Sequence, residues 1–386
     1  MWRDMLLCKQ MALSYTLDDR TTRRLKEIDR KATKRVDLLD SLDEESLAAI
    51  HRQARISTIG ATTRIENAVL TDAQIDQIDT ELAADGRPTA FSAMRARIDD
   101  KLTRDRERSL EEVAGCREML AVIYSQGAEL FPLSQATLCG LHHELLKYHP
   151  PAAYHLGRYK LVPNSVIERN HETAEERTIL QTSDPGPITE SAVSEMIAWY
   201  NQTLPEHPWP IAVGCEFVFR FLACHPFQDG NGRLGRSLFL MALIQCDDPN
   251  LNRLAPYLAV DRFIEQNKSE YYTVLARVSD GRFHSDPKKY RTELFLAFML
   301  KAMDTAMDSI EFYKKRVELI RDLPISATKV LKCFKDRPEQ RLTPKSIRQE
   351  TKLPARTVSR ILGSLRDMGL IQRQGRGPAT HYQLVF

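Results

Sequence analysis

The chain has 386 residues, 42% of them hydrophobic and 28% charged, with a formal net charge of +3. That length suits two or three domains. No apolar run is long enough for a membrane span, Met1 to Met11 is too short and too charged for a secretory signal, and seven cysteines without CxxC spacing exclude a zinc ribbon or disulfide framework. A soluble, cytoplasmic protein is expected.

Arg20 to Leu39 and Leu42 to Ile59 read as charged helices whose charges suit solvated faces. Thr62-Thr63-Arg64-Ile65-Glu66-Asn67 follows, with Glu66 near a helix end and Asn67 suited to cap it. Glu81 to Pro88, with Gly86, reads as a surface connection. Gly157 to Pro163 opens a polar, turn-rich stretch that runs to Pro187.

Pro210 to Cys224 (PIAVGCEFVFRFLAC) is apolar and too long for an ordinary strand, so a buried helix is expected, ended by Pro226. Leu234 to Cys246 reads as a second apolar helix. Between them lies HPFQDGNGRLGR, His225 to Arg236. Gly230, Asn231 and Gly232 would form a loop opening a helix N-terminus, where unpaired N–H groups and the helix dipole attract anions. Arg233 and Arg236, three apart, would share one face and grip a polyphosphate. Asp229 suits Mg²⁺, which binds through one or two carboxylates plus phosphate oxygens. His225, with an ordinary pKa of about 6.5, would be free to take a proton at neutral pH. Phe227 would pack the loop onto the core. A P-loop is excluded, because its lysine is missing.

This segment resembles the signature of the Fic (Fic/Doc) family, HPFx[D/E]GNGRxxR, at all nine fixed positions. The resemblance implies transfer of AMP from ATP to a Ser, Thr or Tyr hydroxyl of a target protein, self-modification included. His225 would deprotonate the hydroxyl and Asp229 would bind Mg²⁺. The nucleotide would be held by Phe227, Gly230, Asn231, Gly232, Arg233 and Arg236, with Asn231 and the glycine amides at the α-phosphate and the arginines at the β- and γ-phosphates. Thr62, Glu66 and Asn67 resemble the family's inhibitory motif [S/T]xxxE[G/N], which implies that Glu66 pairs with Arg236 and denies it to the γ-phosphate. The stretch from Gly157 to Pro187 is similar to the family's target-docking flap, a β-hairpin. Tyr257 to Val260 and Glu270 to Tyr272 resemble the helices that close its nucleotide site.

Beyond Arg321-Asp322-Leu323-Pro324 the charge changes: residues 321–386 hold 14 Lys/Arg against 5 Asp/Glu. Helices are expected over Ile325–Phe334, Thr343–Thr351 (Thr343 as N-cap, Pro344 first) and Pro354–Met368. In the last, Val358, Ile361, Leu362 and Leu365 form a buried stripe that leaves Arg356, Thr357 and Arg360 outside. Leu370 to Arg373, a turn at Gly375-Arg376-Gly377-Pro378 and His381 to Val385 read as a hairpin wing. The pattern is that of a winged helix-turn-helix, which binds DNA or a protein partner.

The expected fold class is mainly α: a Fic-fold helical core with a β-hairpin flap, plus a C-terminal winged helix domain (α+β). The organisation is an N-terminal helical region over 1–110 with the inhibitory helix around 57–67, a catalytic domain over 111–320, and the winged helix over 321–386. A homodimer is compatible with this reading. The rivals are a DNA-binding regulator whose Fic-like domain senses nucleotide, and an enzyme that transfers phosphate or another nucleotide, or removes AMP with a water aligned by Glu66.

Overall fold

A computed structural model of the chain describes residues 12–85, 104–169, 176–336, 341–375 and 380–384. Met1 to Met11, Gly86 to Pro88 and the wing turn at Arg376 to Pro378 lie outside the described residues. The fold is mainly helical, with two short antiparallel strand pairs.

Two helices form its centre. In α7 (Pro210–Cys224) every residue from Ile211 onward is buried except Arg220, and α8 (Asn231–Gln245) is buried almost throughout. A helix apolar on all sides must be enclosed by others. The neighbours that enclose them include α2 (Glu44–Ile65), α4 (Arg104–Gln126), α5 (Gln135–Leu146), α6 (Pro187–Thr203), α9 (Pro249–Leu254) and α12 (Thr292–Arg321). The expected span of α7 agrees with the structure, Pro210 taking the first helical position where its missing N–H costs nothing. The expected start of α8 does not: the helix begins three residues early, at Asn231.

Helix α2 changes character along its length. Its first half is amphipathic, whereas Ile56 to Thr63 is wholly buried. The sequence there, Ile-Ser-Thr-Ile-Gly-Ala-Thr-Thr, is small enough to pass between neighbours. The helix thus enters the protein and delivers Glu66 to the interior.

Helix α1 (Asp19–Asp40) corrects the expectation of solvated charge. Lys31 pairs with Asp304 at 2.6 Å and Asp308 at 2.8 Å, and Arg35 with Asp308 at 3.0 Å and Glu311 at 2.9 Å, all on α12. Such half-exposed pairs are each worth under about 1 kcal/mol, but together they fix how α1 lies along α12. Glu81 to Asp85, expected in a connection, belongs to α3 (Asp72–Asp85).

The hairpin of the central stretch pairs β1 (Ser165–Arg169) with β2 (Glu176–Gln181), with a bulge between Val166 and Ile167. Gly157 to Pro163 is not part of the hairpin; it forms turns at its base, tied to the loop between α7 and α8 by a bridge between Tyr159 and Phe227. Helices α10 (Val260–Gln266) and α11 (Lys268–Ser279) follow α9 and close one side of the interior.

After α12 the chain forms a second apolar cluster, which includes Val330, Phe334, Ile347, Val358, Leu362, Leu365 and Leu370. It is built by α13 (Ile325–Lys335), α14 (Pro344–Thr351), α15 (Ala355–Asp367) and the pair β3 (Ile371–Gln374) with β4 (His381–Leu384). Thr343 caps α14 in a reciprocal capping box with Ser346, and Lys352 ends it in the left-handed conformation. Among the described residues no helix is long and apolar enough to cross a membrane.

Candidate active site

Helix α7 ends at Cys224, and His225 adopts a left-handed conformation with φ 51°. Pro226 was expected to end α7 by keeping His225 out of the helical region; the left-handed geometry does so and is uncommon outside glycine. Such conformations persist where surrounding contacts enforce them. Here the His225 N–H donates to Phe221 O at 2.8 Å, and Pro226 O accepts from Lys160 N–H at 2.8 Å.

Phe227 is fully buried and stacks on His142, ring centroids 4.0 Å apart. It does not line the cavity, so its expected place among nucleotide contacts is corrected: it is an anchor only. Asn231 does line the cavity, but its side chain is committed to the loop. Its Nδ2 donates to Phe227 O at 2.7 Å and its Oδ1 accepts from Phe227 N–H at 2.9 Å, so both ends of the amide are engaged in closing the loop. Gly230, with φ 78°, caps α8 where a side chain would be strained. What remains for an anion at this end is backbone: the first amides of α8 and the helix dipole.

His142 supports the loop from below. Its Nε2–H donates to Asp229 O at 3.0 Å, and its Nδ1 accepts from Gly157 N–H at 3.0 Å. Burial lowers its pKa to about 4, consistent with that neutral tautomer.

His225 Nδ1 lies 3.1 Å from Leu222 O, to which it donates, so Nε2 keeps its lone pair. Burial brings the pKa down to about 4, and the Lys160 ammonium adds to the shift. The imidazole is neutral at physiological pH. Lys160 is itself 1% exposed and forms no salt bridge among the described residues: Nζ donates to Asn164 Oδ1 (2.9 Å), Thr182 Oγ1 (3.0 Å) and Cys224 O (3.1 Å). Burial lowers its pKa to about 8. Asn164 in turn donates through Nδ2 to Phe227 O at 2.7 Å. The base of the hairpin and the histidine loop are one hydrogen-bonded unit.

The two arginines differ. Arg233 is 2% exposed, 3.3 Å from Asp229 Oδ1 and 3.7 Å from Glu112 Oε1, yet its Nε and Nη1 are buried without a hydrogen bond among the described residues. Buried donors of this kind are costly unless something completes them. Arg236 is completed by the chain itself: Nε donates to Thr62 Oγ1 (2.9 Å), and Nη2 to Thr62 O (3.0 Å) and Glu66 Oε1 (2.8 Å). Asp261 stands 4.0 Å away; burial pushes its carboxyl up to about 6, against the pull of Arg236. Burial also acts to raise the Glu66 pKa, but Arg236 and Arg233 outweigh it and hold the carboxyl below its ordinary value.

Glu66 reaches this place because of two neighbours. Asn67, with φ 76°, sits one position past the helix cap; its N–H donates to Arg64 O at 3.0 Å, and Ala68 N–H donates to Thr63 O at 3.0 Å. Those are the two bonds of a Schellman motif, for which Asn is a tolerated left-handed residue. The cap reading and the inhibitory reading of this segment therefore describe one geometry. On the opposite wall, a β-carbon at Gly232 would lie 2.2 Å from Glu66 Oε1. Only glycine lets the carboxylate settle against the first turn of α8.

These groups enclose a cavity of about 420 Å³, within the usual range for small-molecule sites. His225, Asp229, Arg233, Arg236, Glu66 and Tyr271 all line it. Asp229 Oδ1 accepts from Gly230 N–H at 2.6 Å and faces Arg233, whereas Oδ2 has no hydrogen bond among the described residues. Burial opposes its ionisation and Arg233 overrides this, so the carboxyl stays below its ordinary pKa. A single ionised carboxylate with a free oxygen fits Mg²⁺ held jointly with a phosphate, and the open donors of Arg233 fit the phosphate. No cluster of three or more His, Cys, Asp or Glu converges on a metal position among the described residues.

Every expected site residue thus comes to one place, Phe227 and Asn231 as its framework. Sequence reasoning missed Glu112, Lys160, Asn164, Asp261 and His142. Of the helices expected to close the site, Tyr271 and Tyr272 reach the cavity wall and Tyr257 does not.

Residues 132–243 match the family model described as Fic/DOC family. A Fido domain-containing protein of Dictyostelium discoideum is 28% identical over 118 residues, covering 28% of this chain and 81% of that one. Among solved structures, a Fic family protein from Desulfovibrio desulfuricans superposes with a TM-score of 0.55 at 22% identity, over 97% of this chain and 98% of the other. A Fic domain containing signaling protein from Bacteroides thetaiotaomicron gives 0.52 at 20%, over 76% and 96%. Fic-1 from C. elegans (residues 134–508) gives 0.53 at 17%, over 78% and 73%. The family match supports a Fic/DOC-type domain around the histidine loop, and the superpositions place the chain in the same fold.

Proposed function

We propose that this protein is an adenylyltransferase that moves AMP from ATP to a Ser, Thr or Tyr hydroxyl of a protein, and that Glu66 holds it inactive by default. The observation that carries this reading is the contrast between the two buried arginines. Arg233 has donors to spare beside the α8 amides, while Arg236 is occupied by Thr62 and Glu66. A polyanion would complete the first and must displace Glu66 to reach the second.

In the reaction, Nε2 of His225 accepts the proton as the target oxygen attacks the α-phosphorus; the bond from that phosphorus to the bridging oxygen breaks and pyrophosphate leaves. Positioning and charge stabilisation supply most of what phosphoryl chemistry needs. The α8 amides and Arg233 hold phosphate oxygens, and Asp229 is the residue for Mg²⁺, which when bound neutralises phosphate charge. The β1–β2 hairpin, whose base is tied to His225 through Lys160 and Asn164, would seat an extended target segment by strand addition. We read α13–α15 with β3–β4 as a winged helix and the protein as cytoplasmic.

Mass spectrometry after incubation of the Glu66→Gly variant with ATP and Mg²⁺ tests the reaction. Addition of AMP to the chain or a target, lost in Glu66→Gly/His225→Ala, is the expected result. Addition of phosphate alone, or labelling that survives loss of His225, would overturn it.

A further inference from the structure

The C-terminal unit carries positive charge that its own fold does not use. On α15 the stripe Val358, Ile361, Leu362 and Leu365 is buried against the apolar cluster. The opposite face presents Arg356, Ser359 and Arg360, all exposed, and Gly363, where a β-carbon would meet nothing within 4 Å. Lys345 and Arg348 on α14, and Lys352 in the turn between the helices, are exposed as well. Among the described residues none of these five cations has a carboxylate partner. Arg366, at the far end of α15, does, pairing with Asp367 at 2.7 Å.

The rest of the protein leaves that face open. A cavity of about 720 Å³ separates the unit from α2 and α12, and the unit's side of it comes from α13 and the hairpin (Leu331, Lys332, Leu370 and Leu384 among them). No residue of α14 or α15 lines it.

We propose that this face binds double-stranded DNA, with α15 in the major groove. A helix of 13 residues is about 20 Å long, and the major groove, about 12 Å wide, admits one. Arg356 and Arg360 lie one turn apart in the N-terminal half, the part that helix-turn-helix proteins present to base edges. Ser359 and Gly363 beside them add no bulk, so the helix can sit deep. Lys345, Arg348 and Lys352 stand where phosphates would flank it. The A-form major groove of duplex RNA is too narrow for such a helix, and a protein partner would not need five free cations around small residues.

The full-length protein is titrated into a fluorescent random-sequence DNA duplex of about 30 base pairs, with salt varied from about 50 to about 200 mM. Neutralising about five phosphates predicts that affinity falls by roughly 500-fold over that range. Arg356→Ala/Arg360→Ala should weaken binding at least about tenfold and flatten the salt dependence by about two charges, with an unchanged circular dichroism spectrum. Lys315→Ala, an exposed charge on α12, should change nothing. Absence of saturable binding at the lowest salt, equal binding by the double variant, or tighter binding to an RNA duplex would each overturn the proposal. The outcome is independent of AMP transfer.

Discussion

At the scale of single residues, the site is organised by what each polar atom is already doing. Asn231 stands where a phosphate contact was expected, but its amide spans the loop and satisfies both the N–H and the carbonyl of Phe227. Removing it strands the buried Phe227 N–H, at a cost of about 1–3 kcal/mol, whereas Phe227 O keeps its bond from Asn164 Nδ2. Asn231→Ala should therefore lower unfolding stability by at least about 1 kcal/mol in urea denaturation; a loss under about 0.5 kcal/mol, the level of an inert surface change, would contradict this assignment. Arg233 and Arg236 have the same residue type, spacing and burial, and differ only in their partners. That difference depends on Glu112, Thr62 and Glu66, and of these only Glu112 had no sequence signal. It lies on α4, more than a hundred residues before the loop, in an otherwise ordinary charged helix. Lys160 was equally hidden, because a lysine in a turn reads as surface whereas this one is buried among oxygen acceptors.

At the scale of elements, long apolar patterns were legible and polar helix ends were not. Helix α7 could be read from Pro210 to Cys224 because its composition admits only an enclosed helix. The start of α8 was misplaced because Gly-Asn-Gly carries turn propensity; the structure uses Gly230 as the cap and folds Asn231 back into the first turn. The hairpin lies within the expected stretch, Gly157 to Pro187, but its strands could not be placed there for a related reason. Gly157 to Pro163 holds the recognisable glycine and proline, while the paired strands lie later, from Ser165 to Arg169 and Glu176 to Gln181. The segment proposed as inhibitory was legible through its resemblance to a family motif, and its cap through local chemistry: a C-terminal cap sets the direction of the residue before it. Asn67→Gly should leave both thermal stability and AMP transfer close to those of the parent. Asn67→Ala must pay for the left-handed conformation, about 1–2 kcal/mol, whereas the exposed contact from Lys268 at 3.0 Å is lost in both variants. It should melt lower and transfer AMP faster. If Ala and Gly behave alike in both assays, the cap does not set the position of Glu66.

At the scale of the whole molecule, the interior holds several imidazoles that are kept neutral. Burial lowers His51, His142 and His225 each to about 4, with the Arg55 charge adding at His51. In the unfolded chain they titrate near about 6.5. Between those values the unfolded state binds more protons, so stability rises with pH across the window. It is complete above about 6.5 and is lost as the pH falls toward 4. Asp261, raised by burial to about 6, acts in the opposite sense, as does Asp72, whose carboxyl burial also raises, and the two offset part of the effect. The melting temperature should be flat from pH 8 to about pH 7 and decline below about 6.5. A flat profile down to pH 5 would mean that these histidines are not held neutral in the folded protein.

The same whole-molecule view links the two ends of α2. Its first turns line the cavity beside the C-terminal unit, and its last residue before the cap leads into Glu66. On the proposed reading, control of the site rests on whether Glu66 stays on Arg236. An energetic preference of about 1.4 kcal/mol already shifts the populations tenfold. The direct measurement is the initial rate of AMP transfer from ATP labelled on the α-phosphate, compared between the parent protein, Glu66→Gly and Glu66→Gly/His225→Ala. The rate should rise at least about tenfold when Glu66 is removed and vanish when His225 is removed as well. A Glu66→Gly rate equal to that of the parent would contradict the account at its centre.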